Sequence, residues 1–214
     1  MTHWFEGPPA DHFRRNLPAT AAEPIRAFVA IRLGETVEAA ISDLIGEIKR
    51  PHDGIRWVPR ENLHVTLKFL GPAVDTHRLE MLTTAMHSIV ARTAPFPVEA
   101  AGTGAFPNLE QPRVVWVGLH GIELGAFAAR IEKAASECGF PRETRRFSGH
   151  LTIGRVRDAH DFAATRKALI AANERSFGES RIESITLYRS HTGPSGSKYE
   201  PLATFLFRLH QPTG

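Results

Sequence analysis

Apolar residues along this chain repeat with two different periods, and the alternation between them outlines the elements. RAFVAIRL is a near-continuous apolar run of strand length, and ETVEAAISDLIGEIKR after it sets Val37, Ile41, Leu44, Ile45 and Ile48 at helical spacing. PHDGIRWVPREN predicts a turn, a short extended piece and a second turn. HVTLKFLG alternates as a strand does and is closed by Gly71 and Pro72. A helix is predicted from about Asp75 to Arg92, with Leu79, Leu82, Met86, Ile89 and Val90 inward. FPVEAAGTGAF and RVVWVGLH form two strands joined through PNLEQP, and a helix from Ile122 to Cys138 is stopped by Gly139 and Pro141. A strand from Arg146 to Val156, a helix near Phe162 to Ala172 and a hairpin of ITLYRSH with EPLATFLFRL complete the pattern.

Each half then passes through a strand, a helix and two hairpin strands, which predicts an internal duplication. Adjacent hairpin strands make the sheets mainly antiparallel and the fold class α+β. Residues 1–23 carry Pro8, Pro9 and Pro18 without periodicity and are expected to be a flexible extension, leaving 24–214 as a single domain.

Polar residues interrupt two of the strands in the same way. HVTLKFLG begins with His64 and Thr66, HLTIGRV with His150 and Thr152. Residues i and i+2 of a strand share a face, so each strand presents an imidazole beside a hydroxyl. One such strand is ordinary, because threonine favours strands. Two, at comparable places in the two halves, call for a common purpose.

A metal site would need three or four ligands, and neither pair has a Cys, Asp or Glu at ligand spacing. Acyl transfer lacks a G-x-S-x-G elbow, since GPSGS at 193–197 belongs to a turn. General acid and base catalysis fits, because an imidazole of ordinary pKa near 6.5 accepts or donates a proton near neutral pH. The threonine hydroxyls would then hold an oxyanion.

Bulk properties add bounds. With 214 residues and 42% hydrophobic content the chain can build a core. No apolar run approaches the roughly 20 residues of a membrane helix, so a cytoplasmic protein without a membrane partner is expected. A net charge of +3 favours an anionic ligand without requiring a long polyanion. Cys138 is the only cysteine, which rules out an internal disulfide, and its position suits a buried small apolar side chain.

HVTLKFLG and HLTIGRV, with RAFVAIRL, RWVPRENLHVTLKFLG, PRVVWVGL and ITLYRSH…GSKYEPL around them, resemble the two-histidine phosphoesterase superfamily. Within it the likeness is to the RNA 2′,3′-cyclic phosphodiesterases, the LigT-like 2′-5′ RNA ligases, over residues 25–210. The resemblance implies two pseudo-symmetric lobes, each a mainly antiparallel sheet with helices on its outer face, around a central cleft. It implies metal-independent hydrolysis of RNA 2′,3′-cyclic phosphate ends to 2′-phosphomonoesters, without a cofactor, by a monomer. His64 would be the proton donor, His150 the proton acceptor, and Thr66 and Thr152 the holders of the non-bridging oxygens. The same cleft leaves open 2′-5′ ligation of RNA ends, a cyclic phosphodiesterase acting on ADP-ribose 1″,2″-cyclic phosphate, or RNA or nucleotide binding without turnover. Gly149 stands where many relatives carry Pro and predicts a looser approach to His150.

Other candidates are weaker signals. Arg142, Arg145, Arg146, Arg155 and Arg157 surround the second motif, and Arg146 is the one assigned to substrate binding. In a regular strand Arg155 would point away from His150 and Thr152, while Lys68 would share the face of His64 and Thr66. Tyr199 is expected to stack on a base. Phe69 is expected in the core, and Trp57 and Trp116 in the core or at its rim.

Overall fold

Two antiparallel sheets organise the computed structural model, which describes residues 25–193 and 196–208. The expected N-terminal extension lies outside the described residues. The first sheet has the order β3-β1-β8-β9, built from β1 (Ile25–Ile31), β3 (Val65–Val74), β8 (Ser184–Gly193) and β9 (Gly196–Leu206). The second has the order β2-β6-β5-β4-β7, built from β2 (Ile55–Trp57), β4 (Phe96–Phe106), β5 (Val114–His120), β6 (His150–Val156) and β7 (Ser176–Ile182). Among the described residues four α-helices join them: α1 (Glu35–Ile48), α2 (Thr76–Val90), α3 (Ile122–Glu137) and α4 (Phe162–Ala171). This is the α+β class that the sequence predicts.

The helices form because they bury one stripe each. A free helix of α1's length is marginal in water. Val37, Ile41, Leu44 and Ile48 of α1 are all buried, each side chain contributing roughly 1.5–3 kcal/mol. Asp75 caps α2 by accepting from the Arg78 amide at 2.9 Å. Cys138 is buried behind α3, and burial raises its thiol pKa, as a small apolar side chain in that place requires.

The duplication has a different phase from the predicted one. Its unit is strand, helix, motif strand, helix, strand: β1-α1-β3-α2-β4 and β5-α3-β6-α4-β8, with β2, β7 and β9 as additional edge strands. The last strand of each unit pairs with the first strand of the other, β4 with β5 and β8 with β1. Helices cross over too, since α1 packs on β7 of the second sheet and α3 on β3 of the first. The two lobes are therefore interlocked rather than being successive halves of the chain. β7 is the strand missing from the sequence reading, and β3 runs past the predicted stop to Val74 through Gly71 at φ 136°.

Candidate active site

The interlock brings β3 and β6 together, with Cα atoms of the two strands within 8 Å of each other. His64 immediately precedes β3 and His150 opens β6. Their surroundings repeat. Nδ1 of His64 lies 2.7 Å from the carbonyl oxygen of Asn62, and Nδ1 of His150 lies 2.8 Å from that of Ser148. A carbonyl only accepts, so each Nδ1 carries the proton and each Nε2 is left for chemistry.

Aromatic rings fix both imidazoles. His64 packs against Phe28 and, edge-on, against Tyr199, each with ring centroids 4.9 Å apart, and His150 meets Phe106 edge-on at 5.0 Å. Burial lowers the pKa of His64. The Asn62 hydrogen bond opposes this, and the positive charges of Arg155 and Arg32 add to the lowering. Arg155 belongs to β6, so a charge on one motif strand is felt by the histidine of the other. Thr66 is exposed, Thr152 half-buried, and neither hydroxyl has a hydrogen-bond partner among the described residues.

Gly149 corrects an expectation. A Cβ there would sit 2.7 Å from the Leu119 carbonyl oxygen, and the Gly149 carbonyl accepts from the Leu119 amide at 3.0 Å. Glycine at 149 serves close packing ahead of His150, not looseness.

Two further corrections share one cause. The register of β3 on β1 shifts between Val29 and Ala30, and that of β6 on β5 between Val115 and Trp116. Each shift accommodates one extra residue just after the motif threonine, Leu67 in β3 and Ile153 in β6. A bulge of one residue reverses the facing of everything beyond it. Lys68 therefore turns inward: it is 4% exposed, donates to Glu132 and to the Pro141 carbonyl, and does not share the face of His64. Phe69 turns outward, 44% exposed, with the Arg26 guanidinium 4.5 Å above its ring. In β6 the same reversal puts Arg155 on the face of His150 and Thr152, where a regular strand would have hidden it. Phe69 and Arg155 stand at matching places, three residues beyond the two threonines.

Besides Phe28 and Phe106, three further residues were absent from the sequence reading. Arg56 of β2 pairs directly with Arg155, and its guanidinium lies against Gly196 of the β8-β9 hairpin, where a Cβ would be 2.1 Å away. Like charges opposite each other on a sheet are destabilising, so this pair favours an anion between them. Asn62 holds His64 through its carbonyl while its side-chain amide donates to Ser197 on β9 at 3.0 Å, tying the histidine to the strand of Tyr199. Tyr188 stacks on Phe28 at 5.3 Å and extends the aromatic floor. Only the basic character of Arg56 was visible in sequence.

Arg146 is exposed on the strap before β6 and makes no hydrogen bond or ion pair among the described residues. Trp57 is half-buried and donates to Asp53 at 2.8 Å. Among the described residues no three His, Cys, Asp or Glu gather as a metal site, and no helix is long and apolar enough to cross a membrane.

The profile of the 2′-5′ RNA ligase superfamily matches residues 37–194, which includes both motifs. The chain belongs to that superfamily. It is 33% identical over 176 residues to an RNA 2′,3′-cyclic phosphodiesterase of Methanocaldococcus jannaschii, covering 82% of this chain and 97% of the relative. A second RNA 2′,3′-cyclic phosphodiesterase, from Archaeoglobus fulgidus, is 32% identical, covering 85% of this chain and 99% of the relative. Among solved structures, a Thermus thermophilus protein superposes with a TM-score of 0.75 at 28% identity, covering 87% of this chain and 100% of that one. LigT of E. coli complexed with 3′-AMP superposes with a TM-score of 0.69 at 26% identity, covering 86% and 99%. Superfamily membership thus agrees with the paired motifs and with the two sheets whose motif strands lie close together.

Proposed function

We propose that this protein hydrolyses RNA 2′,3′-cyclic phosphate ends to 2′-phosphomonoesters, with His64 as proton donor and His150 as proton acceptor. His150 takes a proton from water at Nε2 as the water oxygen attacks phosphorus, and His64 gives its Nε2 proton to the departing 3′ oxygen. Thr66 and Thr152 donate to the non-bridging oxygens, and Arg155 with Arg56 supplies positive charge where negative charge accumulates. Tyr199 and Phe28 form the floor on which the terminal nucleoside rests. Arg146 is assigned to more distant phosphates, reached by the strap on which it lies.

The observation that carries this reading is the matched pair of imidazoles, each with Nδ1 committed to a main-chain carbonyl two residues upstream. Both rings are thereby held in one orientation with Nε2 left to act, unprotonated on His150, where it accepts, and protonated on His64, where it donates. Because the pair performs both transfers, the reaction needs no metal or cofactor. The relatives named RNA 2′,3′-cyclic phosphodiesterase support the substrate class.

Turnover of a 2′,3′-cyclic nucleotide by His64→Ala and His150→Ala tests the assignment. Each variant is expected to lose roughly 10²- to 10⁴-fold in rate while unfolding at the wild-type midpoint, with chelator leaving the wild type unaffected. Wild-type rates in either variant would remove that residue from the chemistry.

A further inference from the structure

The row of aromatic rings beside His64 runs one residue further than the hydrolytic steps use. Phe28 of β1, which meets His64, is paired directly with Tyr188 of β8 on one side and with Phe69 of β3 on the other. Neighbouring strands lie roughly 4.8 Å apart and directly opposed side chains stand side by side, so Phe69 carries the row out to the edge of the first sheet. In the other direction the row passes through Tyr188, already stacked on Phe28, to Pro201 of β9. The free ring of this row is on the β3 side.

The facing of Phe69 runs against the usual preference for burial. The bulge after Thr66 buries a lysine, Lys68, and leaves a phenylalanine 44% exposed. Phe69 is the one aromatic among the exposed large apolar side chains of the described residues. Its ring carries the Arg26 guanidinium, and Arg26, itself exposed, makes no hydrogen bond or ion pair among the described residues. A guanidinium held on a ring without a paired acid keeps its N–H groups for an incoming anion. An open ring beside an unneutralised guanidinium matches a nucleotide, the ring for its base and the guanidinium for its phosphate.

Position decides which nucleotide. Aromatic rings on the face of a four-stranded sheet stack two or three successive bases of a single-stranded RNA. With the terminal nucleoside on Phe28 and Tyr199, the next ring in the row receives the next base. We propose that Phe69 and Arg26 are the subsite of the nucleotide immediately 5′ of the cyclic phosphate end; this rests on the hydrolytic reading above. Phe69 stacks on the base of that nucleotide, and Arg26 donates to the phosphate linking it to the terminal nucleoside. No bond is made or broken there. The effect is a preference for an oligonucleotide end over a mononucleotide, through binding energy supplied away from the reacting phosphorus.

The test compares kcat/KM for 2′,3′-cyclic AMP with kcat/KM for the dinucleotide cytidylyl-(3′-5′)-adenosine carrying the same cyclic phosphate. The wild type is expected to favour the dinucleotide about tenfold, the worth of one stacked base. Phe69→Ala is expected to abolish the preference by slowing the dinucleotide about tenfold, with 2′,3′-cyclic AMP turnover and the unfolding midpoint unchanged. Phe69→Tyr retains a stacking ring and is expected to retain the preference, whereas Arg26→Gln should lose part of it and weaken its dependence on salt. Equal kcat/KM for the two substrates in the wild type overturns the proposal. So does a preference that survives Phe69→Ala, or a loss in Phe69→Ala that is equal for both substrates, which would make Phe69 a mere support for Phe28. If the wild type turns over neither substrate, the hydrolytic reading fails and calorimetric binding decides the subsite. The dinucleotide 2′-phosphate is then expected to bind about tenfold more tightly than 2′-AMP, an advantage lost in Phe69→Ala. Equal affinities, or no binding of either, overturn the subsite as well.

Discussion

The imidazole of His64 is held by Phe28, Tyr199 and the Asn62 carbonyl, and its pKa records that setting. Because burial and the charge of Arg155 disfavour the protonated ring, the folded pKa lies below the unfolded one. The sign follows: the contribution of His64 to stability is complete above about pH 6.5 and is lost as pH falls through the lower folded value. Arg155→Met removes one of the depressing charges, so His64 should titrate at a higher pH in that variant when followed by NMR. A bound phosphate monoester, being anionic, should raise it in the wild type as well. An unmoved titration in Arg155→Met would mean that Arg155 is too far from His64 to serve a shared phosphate. At this scale the sequence was informative, since the repeated His-x-Thr pairs single out the two histidines that the fold sets in matching surroundings. It was misleading one bulge further on, where parity assigned Lys68 to the cleft and Arg155 away from it.

The bulges themselves belong to the scale of elements. Nothing in VTLKFLG or LTIGRV marks the extra residue, because the facing depends on how β1 and β5 pair with these strands, a nonlocal fact. Their consequence is a clamp. Lys68, turned inward by the bulge in β3, binds Glu132 of α3 at 2.7 Å and the Pro141 carbonyl at 2.6 Å, and Glu132 also accepts from the Glu143 amide at 2.9 Å. One lysine thus joins the strand after His64 to the helix and strap that lead to His150. Lys68→Met should cost about 2–3 kcal/mol in denaturant unfolding, below the usual 3–5 for a buried pair because Glu132 is 26% exposed. The double variant Lys68→Met, Glu132→Met should recover much of the loss. A loss in the double variant equal to the sum of the losses in the two single variants would show that the ion pair itself contributes nothing. β7 escaped notice for a local reason: Gly178, at φ 104°, breaks the alternation of SFGESRI and leaves only Phe177, Ser180 and Ile182 inward.

At the scale of the molecule, the sequence pattern yields the α+β class, most elements and the existence of a duplication. The interlock is not legible, since a strand's choice between two sheets of similar apolar character is settled by packing across the whole chain. That interlock matters for function because it sets β3 beside β6 and the hairpin carrying Tyr199 over His64. On the proposed mechanism both motif strands address one phosphate, and the regiochemical result depends on which histidine protonates which ribose oxygen. The most direct measurement is the identity of the monophosphate formed from 2′,3′-cyclic AMP. With His64 protonating the 3′ oxygen, the product is 2′-AMP alone; formation of 3′-AMP, or no turnover at all, would contradict the account.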